Sequence, residues 1–141
     1  MPSVFTRIME GELPARFVWS DEVCVAFLSI NPLRPGHTLV VPRLEVEDWL
    51  DLDRETASHV IMVAQWIGKA IHEVWHPTKV GLMIAGLEVP HTHLHVSPID
   101  RARDLEFAHA DPNPSPDDLD RSAEAIRRAL AGLGFEQVSS G

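Results

Sequence analysis

The stretch HTHLHV, residues 91–96, places three histidines at every second position of the chain. A β-strand directs alternate side chains to the same face, so this spacing predicts that His91, His93 and His95 lie together on one side of a sheet. Neighbouring imidazoles repel one another when they are protonated. Three of them in register therefore indicate a specific chemical role.

Three interpretations of this pattern are open from its spacing. The first is a polar sheet face that is rich in histidine. The second is a metal site, because histidines two positions apart on a strand can share one ion, with His37 or Glu88 as a further ligand. The third is catalysis at phosphorus, in which a neutral imidazole attacks while its neighbours donate hydrogen bonds to the phosphoryl oxygens.

The composition excludes several classes of partner. The chain has 141 residues, the length of one ordinary domain, with 12 basic and 21 acidic side chains and a net charge of −9. Nucleic acids and anionic membranes attract the opposite charge, so we expect neither as a partner, and local groups have to hold any phosphate ligand. Cys24 is the single cysteine, which excludes an intrachain disulfide. The N-terminus has no long apolar run, and we expect a cytoplasmic protein.

Apolar and β-branched runs predict the remaining strands of the sheet. Ser20 and Asp21 mark the turn between the first two runs, and Pro35 and Gly36 precede the third. The fourth run is apolar enough to predict a central strand. The five predicted strands are ARFVWS (15–20), EVCVAFLSI (22–30), TLVVP (38–42), KVGLMIAG (79–86) and HTHLHVS (91–97).

Two longer segments have the three- and four-residue apolar period of helices. The first begins at the N-cap Asp53 and stops before Pro77, and the second begins at Ser115. A short helix from Ser3 to Met9 precedes the sheet. These elements predict an α+β fold with an antiparallel sheet of about five strands, one long helix and a C-terminal helical tail.

The domain organisation is expected to be simple. Residues 1–110 are predicted to form one domain, and residues 111–141 a helical extension packed on it. The tail carries no motif, and one place for it is over the active site, where it would influence substrate choice. His59, His72 and His76, on or beside the long helix, are expected to be solvated.

The histidine stretch resembles the signature of the histidine-triad (HIT) family, which is His-x-His-x-His followed by apolar residues. The preceding part of the chain is similar to the same family in order and spacing, from residue 3 onward. The matching features are a Phe-x-x-Ile start at Phe5, a Gly-Glu-hydrophobic-Pro step at residues 11–14, and PGHTLVVP at residues 35–42. The resemblance implies the HIT fold and favours phosphorus chemistry over the other two interpretations.

The resemblance also assigns roles to individual histidines. His93 matches the family's nucleophile, and His95 matches the histidine that contacts the phosphate. His91 matches the first member of the triad, which supports the nucleophile. His37 matches a fourth histidine, at the end of the loop before TLVVP. These four residues are the predicted catalytic group.

The same resemblance implies a substrate site. In the family, four apolar side chains form a slot for a nucleobase, although phenylalanines at these positions also fit an ordinary core. Polar side chains lie near the ribose and the phosphate. The implied substrate-binding residues are the slot residues Phe5, Ile8, Phe27 and Ile30, the ribose-side residues Ser29 and Asn31, and the phosphate-side residues Gly86 and Glu88.

Several positions depart from the family pattern. Leu87 and Glu88 replace a Gln-Ser or Gln-Thr pair whose hydroxyl donates a hydrogen bond near the phosphate, and an ionised glutamate repels a phosphate. Ser29 replaces an aspartate that holds the ribose hydroxyls, with Asn31 as a compensating group. Cys24 does not match the cysteines of zinc-containing members, so we expect no metal at the active site. These differences predict reduced or redirected activity on ordinary nucleotide phosphoramidates.

The function that the resemblance implies is a nucleotide phosphoramidase or hydrolase with a nucleotidyl-histidine intermediate at the α-phosphorus. The expected partners are a purine nucleotide, or a related phosphorylated small molecule, and a second copy of the chain in a homodimer. No cofactor is expected. A nucleotide-binding module with little turnover is the alternative that Glu88 favours, and a metal hydrolase is the third candidate.

Overall fold

A computed structural model of the chain describes residues 2–138. Its centre is a five-stranded sheet in the order β1-β2-β3-β5-β4, in which every neighbouring pair is antiparallel. With one long helix and a C-terminal helix, this architecture confirms the predicted α+β fold. The strands are β1 (Phe17–Ser20), β2 (Cys24–Leu28), β3 (Thr38–Pro42), β4 (Lys79–Met83) and β5 (Leu94–Ile99), and the helices are α1 (Val4–Met9), α2 (Arg54–Trp75) and α3 (Pro116–Gly132).

The long helix α2 begins and ends where local signals place it. The side chain of Asp53 accepts a hydrogen bond from the backbone N–H of Thr56, which caps the first turn. His76 closes the helix in a left-handed conformation, with φ of 47°, and Pro77 follows. The apolar side of α2 packs on the sheet and buries Ile67 completely. Among the described residues, no helix has both the length and the apolar character needed to span a membrane.

The sheet has two covered faces, which we name the helix face and the histidine face. On the helix face, α2 and α3 pack against the alternate strand residues Cys24, Ala26, Leu28, Val40, Leu94 and Val96. The histidine face carries a smaller apolar cluster of Phe5, Val25, Phe27, Leu39 and Val41, to which α1 contributes the first residue. Because both faces are covered, every residue of β2 and β3 is buried.

The C-terminal helix α3 packs on α2 and on β1. Arg127 Nε donates a hydrogen bond to the carbonyl of Phe17 over 2.8 Å, and Arg16 Nε lies 2.7 Å from an oxygen of Asp120. These contacts join α3 to the start of β1. The domain boundary near residue 110 stays a prediction.

The structure corrects two strand predictions. The fourth strand, β4, lies at the edge of the sheet and not in its centre, and its apolar Leu82 is 48% exposed. The fifth strand, β5, starts only at Leu94, because the N–H and the hydroxyl of Thr92 both donate to the carbonyl of Val46, outside the sheet. The first two histidines of the triad therefore precede the strand that carries the third.

The expectation for the helix histidines is also partly wrong. His72 and His76 are exposed, as predicted. His59 is half-buried instead, and its Nε2 lies 2.7 Å from Oδ2 of Asp21. Asp21 is distant in sequence, in the β1–β2 turn, so the helical pattern alone does not reveal this contact.

Candidate active site

His91 is a fully buried anchor between β3 and the N-terminal helix. Its Nε2 lies 2.8 Å from the carbonyl oxygen of Pro42, and its Nδ1 lies 2.6 Å from Oγ of Ser3. A carbonyl only accepts, so we assign the ring proton to Nε2, and the Ser3 hydroxyl donates to Nδ1. Both ring nitrogens are thus bonded within the protein, and His91 fixes the start of α1, which Ser3 caps.

His93 has one bonded and one free ring nitrogen. Its Nδ1 lies 2.7 Å from the carbonyl oxygen of His91, so Nδ1 carries the proton and Nε2 keeps its lone pair. Within residues 2–138, every fully buried side-chain nitrogen or oxygen has a hydrogen-bond partner. Nε2 of His93 has none there and therefore lies at an accessible surface. Phe5 stands edge-on to this ring, with 4.8 Å between the ring centroids.

His37 and His95 form a chain of hydrogen bonds that starts in the backbone, which we name the relay. The N–H of Leu33 donates to Nδ1 of His37 over 3.0 Å, which places the His37 proton on Nε2. That Nε2–H donates to Nδ1 of His95, also over 3.0 Å, so His95 carries its own proton on Nε2. The rings of His93 and His95 lie 4.8 Å apart. The site thus pairs a lone pair on His93 with an N–H donor on His95.

The loop before β3, which carries His37, packs against the C-terminal end of α2. Gly36 has φ of +100°, and a Cβ at this position would lie 2.6 Å from a ring carbon of Trp75. Glycine is therefore the residue that lets the loop lie on the Trp75 ring. The N–H of Ser29 donates to the carbonyl of His37 over 3.0 Å and ties the loop to the end of β2. The Pro-Gly-His sequence thereby sets the position of the relay.

Three histidines of the site, His37, His93 and His95, are held uncharged. Burial, with a smaller effect of the neighbouring imidazoles, lowers the pKa of His37 to about 3 and the pKa of His95 to about 4, from an ordinary value of 6.5. Burial also lowers the pKa of His93, although its hydrogen bond to the His91 carbonyl and the charge of Glu88 oppose this change. All three rings are consequently neutral at neutral pH, with one proton on each ring.

The four residues predicted to form the nucleobase slot lie in two different environments. Phe5, Ile8 and Phe27 belong to the apolar cluster of the histidine face, where Phe5 and Phe27 are almost fully buried. Ile30 lies just beyond β2 and is 68% exposed. Phe5 and Phe27 are therefore part of the core of this face, Phe5 also contacts the ring of His93, and their role in binding a nucleobase stays a prediction.

The predicted phosphate-side residues lie in the loop between β4 and β5. Gly86 has φ of +72°, and Glu88 is exposed. The charge of Glu88 reaches the triad, because it acts to raise the pKa of His93. A phosphate at His93 would meet the field of this carboxylate.

The predicted ribose-side residues bond mainly to the protein itself. Oγ of Ser29 accepts from the N–H of Asn31 over 3.3 Å. Nδ2 of Asn31 donates to the carbonyls of Asp111 and Pro112 over 3.1 and 3.3 Å, and the Asp111 N–H donates to the carbonyl of Pro32 over 2.9 Å. Asn31 thus fastens the tail beside the loop that leads to His37.

Phe107 is a residue of the site that the sequence does not reveal. Its ring stands edge-on to that of His95, with 5.1 Å between centroids, and is 49% exposed. Arg34 holds this part of the tail in place through Asp104 at 2.9 Å and Asp100 at 3.2 Å. No motif precedes or follows Phe107, so only the folded chain brings it to the triad.

The fold and the site match one known family. The model of the HIT domain matches residues 10–102, which is more than half of the chain. The chain belongs to the histidine-triad family, as the sequence pattern predicted.

The chain is similar to proteins from several organisms, some of them of known structure. Protein hit of Bacillus subtilis is 30% identical over 137 residues, which cover 91% of this chain and 94% of that protein. The adenylylsulfatase HINT3 of Arabidopsis thaliana is 28% identical over 144 residues, which cover 96% and 73%. The crystal structure of a zinc-bound histidine triad family protein from Mycobacterium smegmatis is 33% identical, with a TM-score of 0.79 over 92% of this chain and 94% of that one.

Proposed function

We propose that this protein is a nucleotide hydrolase that works through a nucleotidyl-histidine intermediate. Nε2 of His93 attacks the α-phosphorus of a nucleoside monophosphate derivative, and the N–P bond forms as the bond to the leaving group breaks. The leaving group departs with a proton from solvent. Water then attacks the phosphorus, the N–P bond breaks, one proton of the water leaves to solvent, and the nucleoside monophosphate is released. His93 returns to its neutral form, so the cycle uses no cofactor.

The observation that carries this proposal is that Nε2 of His93 has no proton, whereas Nε2 of the neighbouring His95 has one. His93 offers an unprotonated Nε2, which a nucleophile needs at neutral pH. His95 offers an Nε2–H, which can donate to a phosphoryl oxygen as that oxygen gains negative charge. The relay through His37 fixes the proton of His95 before substrate binds, so this donor does not have to reorganise during the reaction.

The surroundings of the triad favour one orientation of the substrate. The base side is formed by Phe5, which contacts His93, and by the exposed Ile30 beyond β2. Ser29 remains near the ribose, since Asn31 is bonded to the tail. Phe107 contacts the ring of His95, and we assign the leaving group to this part of the site.

The name of one relative suggests a leaving group to test. The Arabidopsis protein is called an adenylylsulfatase, a name that describes cleavage of an adenylyl group from sulfate. In this chain, the carboxylate of Glu88 acts on His93, so we expect uncharged ammonia, the leaving group of a phosphoramidate, to be favoured over anionic sulfate or a polyphosphate. Adenosine 5′-phosphoramidate and adenosine 5′-phosphosulfate are accordingly the two substrates to test.

Turnover of these two substrates tests the proposal. The wild-type protein is incubated with each substrate, with and without a chelator, beside His93→Ala and the matched control His72→Ala, an exposed histidine on α2. We expect release of adenosine monophosphate that resists the chelator, survives in His72→Ala and falls at least about 1,000-fold in His93→Ala. An intermediate trapped by acid quench should contain the adenylyl group bound to the wild-type protein only.

Two outcomes would replace the proposal with another function. Tight binding of adenosine monophosphate without turnover of either substrate would identify a nucleotide-binding module, which the exposed Glu88 favours. Loss of turnover on chelation, with one metal ion per active chain, would identify a metal hydrolase.

We also propose that two copies of the chain associate through α2 and β4. The edge strand β4 leaves one side of its backbone unpaired, and a groove between it and α2 is lined by Ile61, Gly68, Val80 and Leu82. The free edge of a strand can pair with the same strand of a second copy about a two-fold axis, and we assign the contact between the two chains to this surface. Light scattering should give the mass of two chains for the wild type and of one chain for Leu82→Arg. A wild-type mass of one chain would contradict the association.

A further inference from the structure

A second cluster of reactive side chains lies on the helix face, away from the histidine triad. Nε2 of His59, on α2, lies 2.7 Å from Oδ2 of Asp21, in the β1–β2 turn. Sγ of Cys24, the first residue of β2, lies 3.9 Å from the same oxygen. The three ligand atoms all lie within 4.8 Å of one another. A nitrogen, an oxygen and a sulfur therefore converge on one point.

The carboxylate of Asp21 is oriented by the groups around it. Its Oδ1 accepts from the backbone N–H groups of Val23 and Cys24, each over 2.8 Å, and its Oδ2 accepts from Nε1 of Trp19 over 2.8 Å. Burial alone would raise the pKa of Asp21, but these hydrogen bonds and the one from His59 lower it to about 2. Metal ligands are typically held by such a surrounding set of hydrogen bonds.

We propose that Asp21, Cys24 and His59 form a binding site for one divalent ion of the zinc class. Zinc accepts thiolate, imidazole and carboxylate ligands together, at bond lengths of about 2.0–2.3 Å. In a tetrahedral site with these bond lengths, neighbouring ligand atoms lie roughly 3.3–3.8 Å apart. The existing separations bracket this range, so small side-chain movements suffice. Water would take the fourth position, on the side where His59 reaches the surface.

Binding of the ion exchanges a proton for the metal. Burial and the charge of Asp21 raise the pKa of the Cys24 thiol, so it is protonated in the ion-free protein. When the ion binds, the S–H bond breaks, a sulfur–metal bond forms, and the proton leaves to solvent. Nε2 of His59, which donates its proton to the hydrogen bond with Asp21 in the ion-free protein, loses that proton as the ring takes one up on Nδ1 from solvent, and the Nε2 lone pair then binds the ion. Affinity should therefore fall as the pH falls.

The position of this site indicates a structural role. Cys24 faces α2, whereas Phe27 and the triad belong to the other face of the sheet. An ion held here would link α2 to the β1–β2 hairpin and would take no part in attack by His93. The proposed hydrolase reaction and this site can consequently fail or succeed independently.

Cobalt titration of the metal-free protein tests the site directly. Because Cys24 is the only cysteine in the chain, a thiolate-to-cobalt charge-transfer band in the near ultraviolet identifies this site alone. We expect the band to saturate at one equivalent of Co²⁺ and to bleach when Zn²⁺ displaces cobalt. The band should be absent in Cys24→Ser and unchanged in His93→Ala, where the triad is altered but this site is intact.

Matched histidine variants protect the test against a folding defect. His59→Asn changes a half-buried side chain and should weaken Co²⁺ binding at least about tenfold, with the fold checked by circular dichroism. His72→Asn, an exposed histidine on the same helix, should leave the affinity unchanged. Absence of the band in folded wild-type protein at saturating Co²⁺, or a band equally strong in His59→Asn, would overturn the proposal, whatever the behaviour of Cys24→Ser.

Discussion

The two faces of the sheet are similarly closed to solvent but differ in chemistry. On the helix face, Ile67 and Leu94 are fully buried among hydrocarbon side chains. On the histidine face, His37, His91 and His95 are 2%, 0% and 7% exposed. Hydrocarbon needs only matching shape and volume, whereas a buried imidazole needs a partner for each ring nitrogen.

The histidine face meets this need mainly through the backbone. The carbonyls of Pro42 and His91 and the N–H of Leu33 determine which nitrogen carries the proton on each bonded ring. The helix face is therefore determined by the packing of apolar side chains, and the histidine face by hydrogen bonds. Substitutions on the helix face should therefore change mainly stability, whereas those on the histidine face should change mainly turnover.

The largest effect on stability should come from the helix face. Ile67→Ala removes a fully buried side chain and should lower the free energy of unfolding by about 2–5 kcal/mol, as measured by urea denaturation. The kcat of the folded variant should match the wild type. Met62→Ala, on the same helix but 39% exposed, is the control and should cost less than about 1 kcal/mol. Reduced kcat in folded Ile67→Ala would show that the faces are coupled.

The next effect concerns the relay on the histidine face. His37→Phe removes the donor to Nδ1 of His95, so the His95 proton is no longer fixed on Nε2, and kcat/KM should fall roughly 100-fold. Nitrogen NMR of the His95 ring should then show a mixture of the two protonated forms, which a general loss of packing does not predict. His72→Phe is the control. A single, unchanged ring form in His37→Phe would contradict the relay.

Acid should destabilise the protein through the same face. The native pKa values of His37 and His95, about 3 and about 4, lie below the ordinary 6.5, so the unfolded chain binds protons that the native state does not. This stabilisation is complete above pH 6.5 and is lost as pH falls toward 4, by up to about 1.4 kcal/mol per pH unit for each ring. Urea denaturation from pH 8 to pH 4 measures the slope, which should be shallower in His37→Phe. An equal slope in both proteins would exclude this origin.

The smallest effect should come from the exposed rim of the site. Glu88→Ser removes a negative charge that acts on His93, so kcat/KM for an anionic substrate should rise a few-fold at low ionic strength and less at high salt. Glu73→Ser, an exposed acidic residue on α2, is the control for net charge. An increase that is independent of salt would point to a hydrogen bond from the new hydroxyl and not to the removed charge.

Local signals in the sequence predict most of the helix face. Asp53 and Ser115 cap the two long helices, and the β-branched run at Thr38–Pro42 forms the predicted strand. Each of these features depends on residues within a few positions of one another. The rules for turns, helix caps and apolar periodicity apply over that distance, so they predict the fold class from the sequence.

The remaining features depend on residues that are far apart in the chain. Thr92 bonds to Val46, and this contact keeps the first two triad histidines out of β5. The exposed apolar Leu82 gives β4 the composition of a central strand, although the strand lies at an edge. Phe107 reaches His95 only because the tail folds back. Spacing shows which imidazoles share a face, but not which distant atoms surround them.

Asn31 and Arg34 hold the tail through hydrogen bonds and ion pairs, and these contacts have a consequence for folding during synthesis of the protein. On the ribosome, the segment from His91 to His95 emerges before Asp104 and Asp111, which hold the loop that leads to His37. A nascent chain that stops after the triad has all four histidines but lacks these restraints. The reactive centre therefore matures late, and a chain that ends before Asp104 has imidazoles without the contacts that align them.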